Sequence, residues 1–249
     1  MLRSHRRFAG AISSVMFRGV DHVDRSDHGR LLQGAVQLDG LGECHNPTLA
    51  GASRDRSRST SRLLNAAVGR DSYETVTQTA FWHRPNDTCT TLEGLRRRPA
   101  NRTRLSEVTW RWRHRFNTLA HPQAVAVDID VDLGSPSRSV VLEALTLYTP
   151  AAFNTFHVIG RRLIPDAEVA ASPGERPEPR VLSTVDGRYA VALFTGDAGA
   201  GLGRFVYPGA SKLNVVFRPQ GVSSGVLQTR CGWAIGTRDE VADAVRRAL

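Results

Sequence analysis

Cysteine, lysine and unbroken apolar sequence are all scarce in this 249-residue chain. Its three cysteines, Cys44, Cys89 and Cys231, are far apart and form no C-x-x-C. That excludes a disulfide framework and a cysteine zinc site. Cys44 and Cys89 could bridge in an oxidising compartment and leave Cys231 free, but three separate thiols is the simpler reading. No apolar run reaches the length of a membrane span. The start, Met1 to Arg7 and then Phe8 to Phe17, imitates a signal peptide. Ser13 and Ser14 interrupt its apolar part, however, and no small-x-small cleavage site follows. A cytoplasmic location is therefore expected if Met1 is the true start. Of 33 basic residues only Lys212 is lysine. The net charge of +9 would by itself point to nucleic acid, anionic glycans or a membrane surface. So complete a use of Arg reads as coding bias, and no recognition motif accompanies it, so no specific nucleic-acid partner is expected.

What the chain has is alternation. Val108, Trp110, Trp112, His114 and Phe116 share one face of a stretch whose other face is Thr109, Arg111, Arg113 and Arg115. Val125, Val127, Ile129, Val131 and Leu133 likewise alternate with Ala126, Asp128, Asp130 and Asp132. Period two means half-buried strands. The hairpin Val108 to Leu133 pairs both faces sensibly if Arg113 lies opposite Asp130, with Arg115 on Asp128 and Arg111 on Asp132. Trp112 then meets Val131 and His114 meets Ile129. Each exposed Arg–Asp pair contributes about 0.2–1 kcal/mol, so these pairs matter mainly for register.

Further strands are expected near Ile12–Arg18, Leu31–Leu38, Leu63–Val68, Tyr73–Trp82, Ser139–Tyr148 and Phe153–Ile159. Val181–Thr184 and Tyr189–Phe194 flank Asp186-Gly187, a hairpin signal. Gly203–Tyr207, Leu213–Phe217 and Val226–Ile235 complete the set. Ala52–Arg62 is a low-complexity Arg/Ser stretch, read as a mobile, solvated loop. Pro85–Asn101 reads as a charged connector and Pro165–Arg180 as a long surface loop. The one helix begins at Thr237, with Glu240 completing a capping box and Val241, Ala244, Val245 and Ala248 as its apolar stripe. More than ten strands, one helix and no linker or repeat give an all-β fold. The expectation is a single large antiparallel β-sandwich over residues 1–249 with one C-terminal helix.

Two motifs are set aside. Gly221-Val222-Ser223-Ser224-Gly225 matches G-x-S-x-G, but a strand-like run follows and no histidine lies beyond His157, so it reads as a turn. Gly199–Gly203 looks like a phosphate loop but precedes a strand, and reads as a hairpin loop. The polar set between His22 and Asn46 is more informative. Asp27, His28 and Arg30 open one strand, and Glu43, His45 and Asn46 follow it. Histidine beside carboxylates suits general acid–base chemistry, with His28 or His45 and Glu43 as the acid–base residues. Asp27, Arg30 and Asn46 suit sugar hydroxyls. The alternative is that these groups only bond turn backbones. The same groups could also ligate Ca²⁺ or Zn²⁺, but no metal ligand and no cofactor is assigned. Trp82, Trp110, Trp112 and Trp233 could offer stacking faces, although Trp110 and Trp112 lie on a core-facing side.

Gly10–Val15, Asp27–Gln33 and Asp39–Thr48 resemble the opening of a group of bacterial β-proteins, often secreted. Ser183–Ala190, Gly203–Phe205 and Lys212–Arg218 resemble its later part. The opening is also similar, more loosely, to galactose-mutarotase-like supersandwich proteins, which include sugar epimerases and the sandwich domains of glycan-degrading enzymes. The resemblance implies a supersandwich fold and a carbohydrate ligand. Epimerases of that superfamily use a His acid and a Glu base on separate strands; here His157 and Glu143 are the only late candidates. The chain departs in its missing secretion signal, its Arg-rich connectors and its short Leu133–Ser139 link, as a truncated copy would. Three functions follow in order. The first is a carbohydrate-binding or carbohydrate-active sandwich, the second a non-catalytic structural or interaction sandwich, and the third an arginine-driven binder of polyanions. Nothing in the chain specifies an oligomeric state.

Overall fold

The Leu105–Arg115 strand shows how alternation becomes architecture. Its Val108, Trp110, Trp112 and His114 are buried while Arg111 and Arg113 are exposed. Its partner Ala124–Asp132 buries Val125, Val127, Ile129 and Val131. The computed structural model describes residues 1–166, 174–222 and 225–249. The middle of the Pro165–Arg180 stretch, and Ser223 and Ser224 of the Gly221–Gly225 motif, lie outside the described residues.

The hairpin forms as expected, but its register is offset by two residues: Arg113 faces Asp128, Arg111 faces Asp130 and Trp112 faces Ile129. A two-residue offset keeps every side chain on its face, so alternation alone cannot tell the two registers apart. The flanking strands favour the observed one. Asp128 lies 2.8 Å from both Arg115 and Arg230. Arg113 turns to Glu74 on the other side, at 2.6 Å. The charge ladder thus spreads over four strands instead of closing within one hairpin.

Among the described residues the hairpin sits inside one long antiparallel sheet of 16 strands. From one end the order runs Leu163–Pro165, Thr155–Ile159, Arg180–Ser183, Ala190–Phe194, Val226–Gly236, Ala124–Asp132, Leu105–Arg115 and Ser72–Phe81. It continues through Pro47–Thr48 to Gln33–Leu38, Ser137–Pro150, Ala210–Phe217 and Gly201–Tyr207. One apolar cluster contains Leu182 and Val191 from the first half and Leu142, Leu147 and Val215 from the second, with Trp110 and Trp112 between them. The sheet therefore folds over on itself, as in a sandwich. Trp110 fills the seam so closely that a Cβ on Gly34 would lie 2.4 Å from its ring. Gly199–Gly203 is not a hairpin loop. It leads from Ala190–Phe194 into Gly201–Tyr207, and these strands lie far apart in the sheet order.

The C-terminal helix Arg238–Ala248 has the expected capping box, Thr237 accepting from Glu240 N and Glu240 accepting from Thr237 N. It lays Val241, Ala244 and Val245 over Ala192, Phe194 and Ala234, forming a second, outer cluster. Among the described residues no helix is long and apolar enough to cross a membrane.

Two connectors are more ordered than their composition suggests. Cys44 and Cys89 form a disulfide with Cα atoms 5.1 Å apart, which replaces the expectation of separate thiols. It ties the Gly42–His45 turn to a small hairpin of Cys89–Thr90 and Arg96–Arg97 inside the Pro85–Asn101 connector. Cys231 is free and buried, and burial pushes its thiol up to about 12. The Ala52–Arg62 stretch is pinned by Asp55, which accepts from Ala52 N at 2.9 Å, Thr60 N at 2.5 Å and Thr60 Oγ1 at 2.6 Å. His28 and Ser61 anchor it further, so it is not the mobile loop expected from its Arg and Ser content.

Two stability measurements follow from these contacts. Replacing Cys44 and Cys89 together by Ser should lower unfolding stability in denaturant by about 4 kcal/mol, the chain-entropy value for a loop of this length. An unchanged midpoint would show that the bridge constrains nothing. Gly34→Ala should cost roughly 1–3 kcal/mol, because the added methyl overlaps the Trp110 ring in a filled core. A neutral result would mean that the seam has slack.

Candidate functional site

The face of the sheet turned away from the core carries a cavity of about 250 Å³. Its floor comes from adjacent strands. Gln33, Ala35 and Gln37 alternate along Gln33–Leu38, opposite the core-facing Gly34 and Val36. The neighbouring Ser137–Pro150 strand contributes Glu143, Thr146 and Tyr148. In a regular strand Glu143 and Thr146 would point to opposite faces. The strand carries an extra residue between them: Glu143 pairs with Ala35 and Thr146 with Gln33. This bulge re-aims the side chains so that all three reach the cavity. Lys212 and Tyr207 arrive from Ala210–Phe217 and Gly201–Tyr207.

Glu143 is the hub. Its Oε2 accepts from Thr146 Oγ1 at 2.8 Å, Lys212 Nζ at 2.8 Å and Asn214 Nδ2 at 3.4 Å, and Oε1 accepts from Gln37 Nε2 at 3.3 Å. The Glu143 and Lys212 side chains are only 13% and 11% exposed, so solvent screens the pair little. Burial alone would raise the Glu143 carboxyl, but the Lys212 ammonium and the surrounding donors outweigh it and hold the group below the usual carboxylate range. Burial likewise opposes the Lys212 charge, yet the Glu143 carboxylate lifts it above the ordinary lysine range. The two remain an ion pair at neutral pH. Tyr148 lies between Lys212 and Arg30, each 5.6 Å from its ring centroid, and burial pushes its phenol up to about 12 against the opposing Lys212 charge.

The rim comes from two short turns and a strand end. Asp27 caps the His28–Arg30 turn by accepting from Arg30 N, and Arg30 Nη1 donates to Asp24 at 2.8 Å. Glu43 and Asn46 come from the disulfide-tethered turn. Trp82, at the end of Ser72–Phe81, is half-buried and lies over Gly29, where a Cβ would meet its ring at 2.6 Å. The exposed part of a rigidly held indole therefore faces a polar cavity.

Of the six expected site residues, Asp27, Arg30, Glu43 and Asn46 line this cavity, and His28 and His45 do not. His28 is buried, with Nδ1 2.9 Å from Ala50 O and Nε2 2.9 Å from Arg56 O, so it holds backbone. His45 turns the other way, stacks on Phe81 at 5.4 Å and borders a separate hollow with Asn101. Burial lowers its pKa, against the pull of Asp39. The imidazole beside Glu43 is His83, with Nε2 3.3 Å from Oε2. His157 lies in the Thr155–Ile159 strand, outside the cavity lining, whereas Glu143 is at its centre. Trp110, Trp112 and Trp233 are buried in the core, leaving Trp82 as the indole at the cavity. Sequence reasoning missed Gln37, Thr146, Tyr148, Tyr207 and the role of Lys212. The one available signal was that Lys212 is lysine in a chain otherwise committed to arginine. Among the described residues no group of His, Cys, Asp and Glu is arranged to hold a metal ion.

No protein-family model matches the sequence, and no curated protein matches it. Solved structures do. The chain superposes on a structure described as an aldose 1-epimerase from Escherichia coli K12 with a TM-score of 0.52 at 7% identity, over 95% of this chain and 98% of that one. The Slr1438 protein from Synechocystis sp. PCC 6803 gives 0.50 at 8% identity, over 95% and 91% of the two chains. A galactose mutarotase related enzyme from Lactobacillus acidophilus gives 0.47 at 10% identity, over 97% and 99%. At these identities the likeness concerns the fold alone. In architecture the chain resembles the structure described as an aldose 1-epimerase.

Proposed function

We propose that the cavity binds a carbohydrate, with Trp82 as the stacking face and Asp27, Arg30, Glu43 and Asn46 as hydroxyl partners. Glu143 and Lys212 form its fixed polar floor. The observation that carries this reading is the half-buried indole set beside convergent charged and amide groups in one small cavity. Sugars present apolar C–H faces and a rim of hydroxyls, and such a site answers both. The volume falls below the roughly 300–1,000 Å³ of drug-sized sites, which suits one sugar residue within the cavity. The fold neighbour described as an aldose epimerase supports a carbohydrate in general.

Binding is better supported than proton transfer at Glu143. Its carboxylate is already occupied by four donors and is held ionised by Lys212. A second reading, aldose epimerisation, rests on the Glu43–His83 contact at the rim. There Glu43 would serve as one acid–base residue, and His83 takes the place expected of His28 or His45.

Calorimetric titration with neutral and acidic monosaccharides separates these readings from a purely structural sandwich. One class should bind saturably, and Trp82→Ala and Arg30→Ala should each weaken it about tenfold, or about 1.4 kcal/mol. No binding by any sugar to a cooperatively folded protein would end the proposal. Anomer exchange followed by NMR should be catalysed, and lost in His83→Ala, only if the second reading holds.

The floor is testable through stability. Lys212→Met leaves the Glu143 carboxylate nearly buried and short of its cation, and should cost roughly 3–5 kcal/mol. Adding Glu143→Gln should recover part of it. A depressed carboxyl pKa stabilises the fold above the unfolded carboxyl's range, and that contribution is lost as pH falls through the folded value. A raised lysine pKa stabilises the fold below the unfolded value of 10.5, and that contribution is lost as pH rises through the folded value. Wild type should therefore lose more stability in acid than the double variant does. Parallel pH profiles would show that the pair contributes nothing.

A further inference from the structure

We propose that the binding site extends from the cavity along an arginine-lined groove that takes an anionic oligosaccharide, so that the ligand is a chain bearing carboxylate or sulfate groups. This inference rests on the carbohydrate reading of the cavity.

The first observation is continuity. The cavity shares Asp27 with a neighbouring hollow of about 440 Å³ that includes Arg7, Arg25 and Arg56. That hollow shares Arg7 and Ser57 with a groove of about 790 Å³ lined by Arg6, Arg58 and Arg62. Three depressions therefore adjoin in series at common wall residues, and together they exceed the room one sugar residue needs.

The second observation is charge. No carboxylate lines the far groove. Among the described residues Arg6, Arg7, Arg56, Arg58 and Arg62 form no ion pair, and all five are exposed. On the central strands, by contrast, Arg113 meets Glu74, and Arg115 and Arg230 meet Asp128. Clustered cations without counter-charges repel one another and attract a polyanion. Asp55, a carboxylate on the path, is spent on Ala52 and Thr60 within its own loop.

The third observation is that the arginines stand on pinned backbone. Arg56 O meets His28 Nε2 at 2.9 Å, and Ser59 N donates to Arg7 O at 2.6 Å, which binds the two arginine-bearing segments together. Ser61 Oγ donates to Thr48 O at 2.9 Å, joining the loop to the strand that borders the cavity. A site ordered before its ligand arrives avoids the entropy of ordering on binding. A guanidinium fork also matches the planar oxygens of a carboxylate or the oxygens of a sulfate.

Glycan is favoured over nucleic acid by what surrounds the charge. No Trp, Tyr or Phe lines the far groove, whereas single-stranded nucleic acid is held by stacking on aromatic rings. Hydroxyls from Ser57, Ser59 and Thr60 stand among the arginines instead. The path also leads into the cavity at Trp82.

The experiment compares labelled hexasaccharides by fluorescence anisotropy. The probes are a hexauronate, a sulfated hexaglucoside and the neutral hexaglucoside, with a single-stranded oligonucleotide of equal charge. The proteins are wild type, Arg56→Gln/Arg58→Gln/Arg62→Gln and Arg6→Gln/Arg7→Gln, with melting curves to confirm folding. At least one anionic hexasaccharide should bind about tenfold or more tightly than the neutral one. That advantage should shrink about tenfold between about 50 mM and about 200 mM salt. Both variants should abolish it while monosaccharide affinity in the cavity stays unchanged. The uronate and sulfate arms identify which anion the groove prefers. Equal binding of neutral and anionic chains, an undiminished advantage in a folded variant, or tighter binding of the oligonucleotide would overturn the proposal. If the anionic chains bind and respond to the arginine variants but no monosaccharide binds, the cavity reading fails and the groove stands as a separate anion site. If monosaccharides bind and the anionic advantage is absent, the groove fails and the cavity stands.

Discussion

A sheet that buries one face must leave its other face available, and that constraint shapes everything else in this molecule. Among the described residues fourteen strands hydrogen-bond in one antiparallel path, and the two halves close over Trp110 and Trp112. The strands at its centre therefore alternate, with one set of side chains fixed by packing and the other free to vary, whereas Ala190–Phe194 is buried on both faces, with the C-terminal helix on its outer one. On the Leu105–Arg115 and Ala124–Asp132 strands the free set became a charge ladder. On Gln33–Leu38 and Ser137–Pro150 it became a cavity. Chemistry on this fold is what the outward positions carry, and the core sets only their spacing.

Within the cavity, the bulge at Glu143 decides what the floor can do. Were the same residues in a regular pleat with no bulge, Glu143 would face away from Thr146 and Tyr148. With it, carboxylate, hydroxyl and phenol converge beside Lys212. A carboxylate so placed must be neutralised, because an isolated buried charge is costly. Lysine suits this place better than arginine: a compact ammonium on a flexible stem can meet Glu143 Oε2 and still lie against the Tyr148 and Phe205 rings, without the planar fork of a guanidinium. In a chain that otherwise uses arginine throughout, the single lysine sits where shape matters more than charge.

Much of the fold was legible because alternation, turn dipeptides and caps are local. The strand at Ala190–Phe194 paired through Asp186-Gly187 with Arg180–Ser183, and the Thr237–Glu240 box capped the helix, as their sequences require. What escaped was non-local. The hairpin register depended on Glu74 and Arg230, which lie outside the hairpin. The Cys44–Cys89 bridge depended on the Pro85–Asn101 connector folding back onto the Gly42–His45 turn. In the site, the polar cluster between His22 and Asn46 showed where to look, and four of its residues reached the cavity. Its histidines did not. A residue in a single-turn helix can point almost anywhere, and His28 turns inward to Ala50 and Arg56. Glu143 was named only through the family resemblance and not from its strand pattern, because its bulge breaks the counting by which a strand face is read.

The excess positive charge needs a physical account of its own. A coding bias explains why the basic residues are arginine; it does not explain where they stand. On the central strands Arg111, Arg113, Arg115 and Arg230 meet carboxylates on neighbouring strands, which fixes register at little cost. At the groove Arg6, Arg7, Arg56, Arg58 and Arg62 form no ion pair among the described residues, although Arg54 of the same loop meets Asp87 at 3.1 Å. Holding several guanidinium groups together without counter-ions opposes folding. This chain nonetheless spends Asp55, His28, Ser59 and Ser61 on fixing that loop's backbone. A loop that served only as a connector would relax its charges by moving apart. Order maintained against repulsion is what a surface awaiting an anion requires, and the sharing of Asp27, Arg7 and Ser57 between neighbouring hollows leads that surface into the cavity under Trp82.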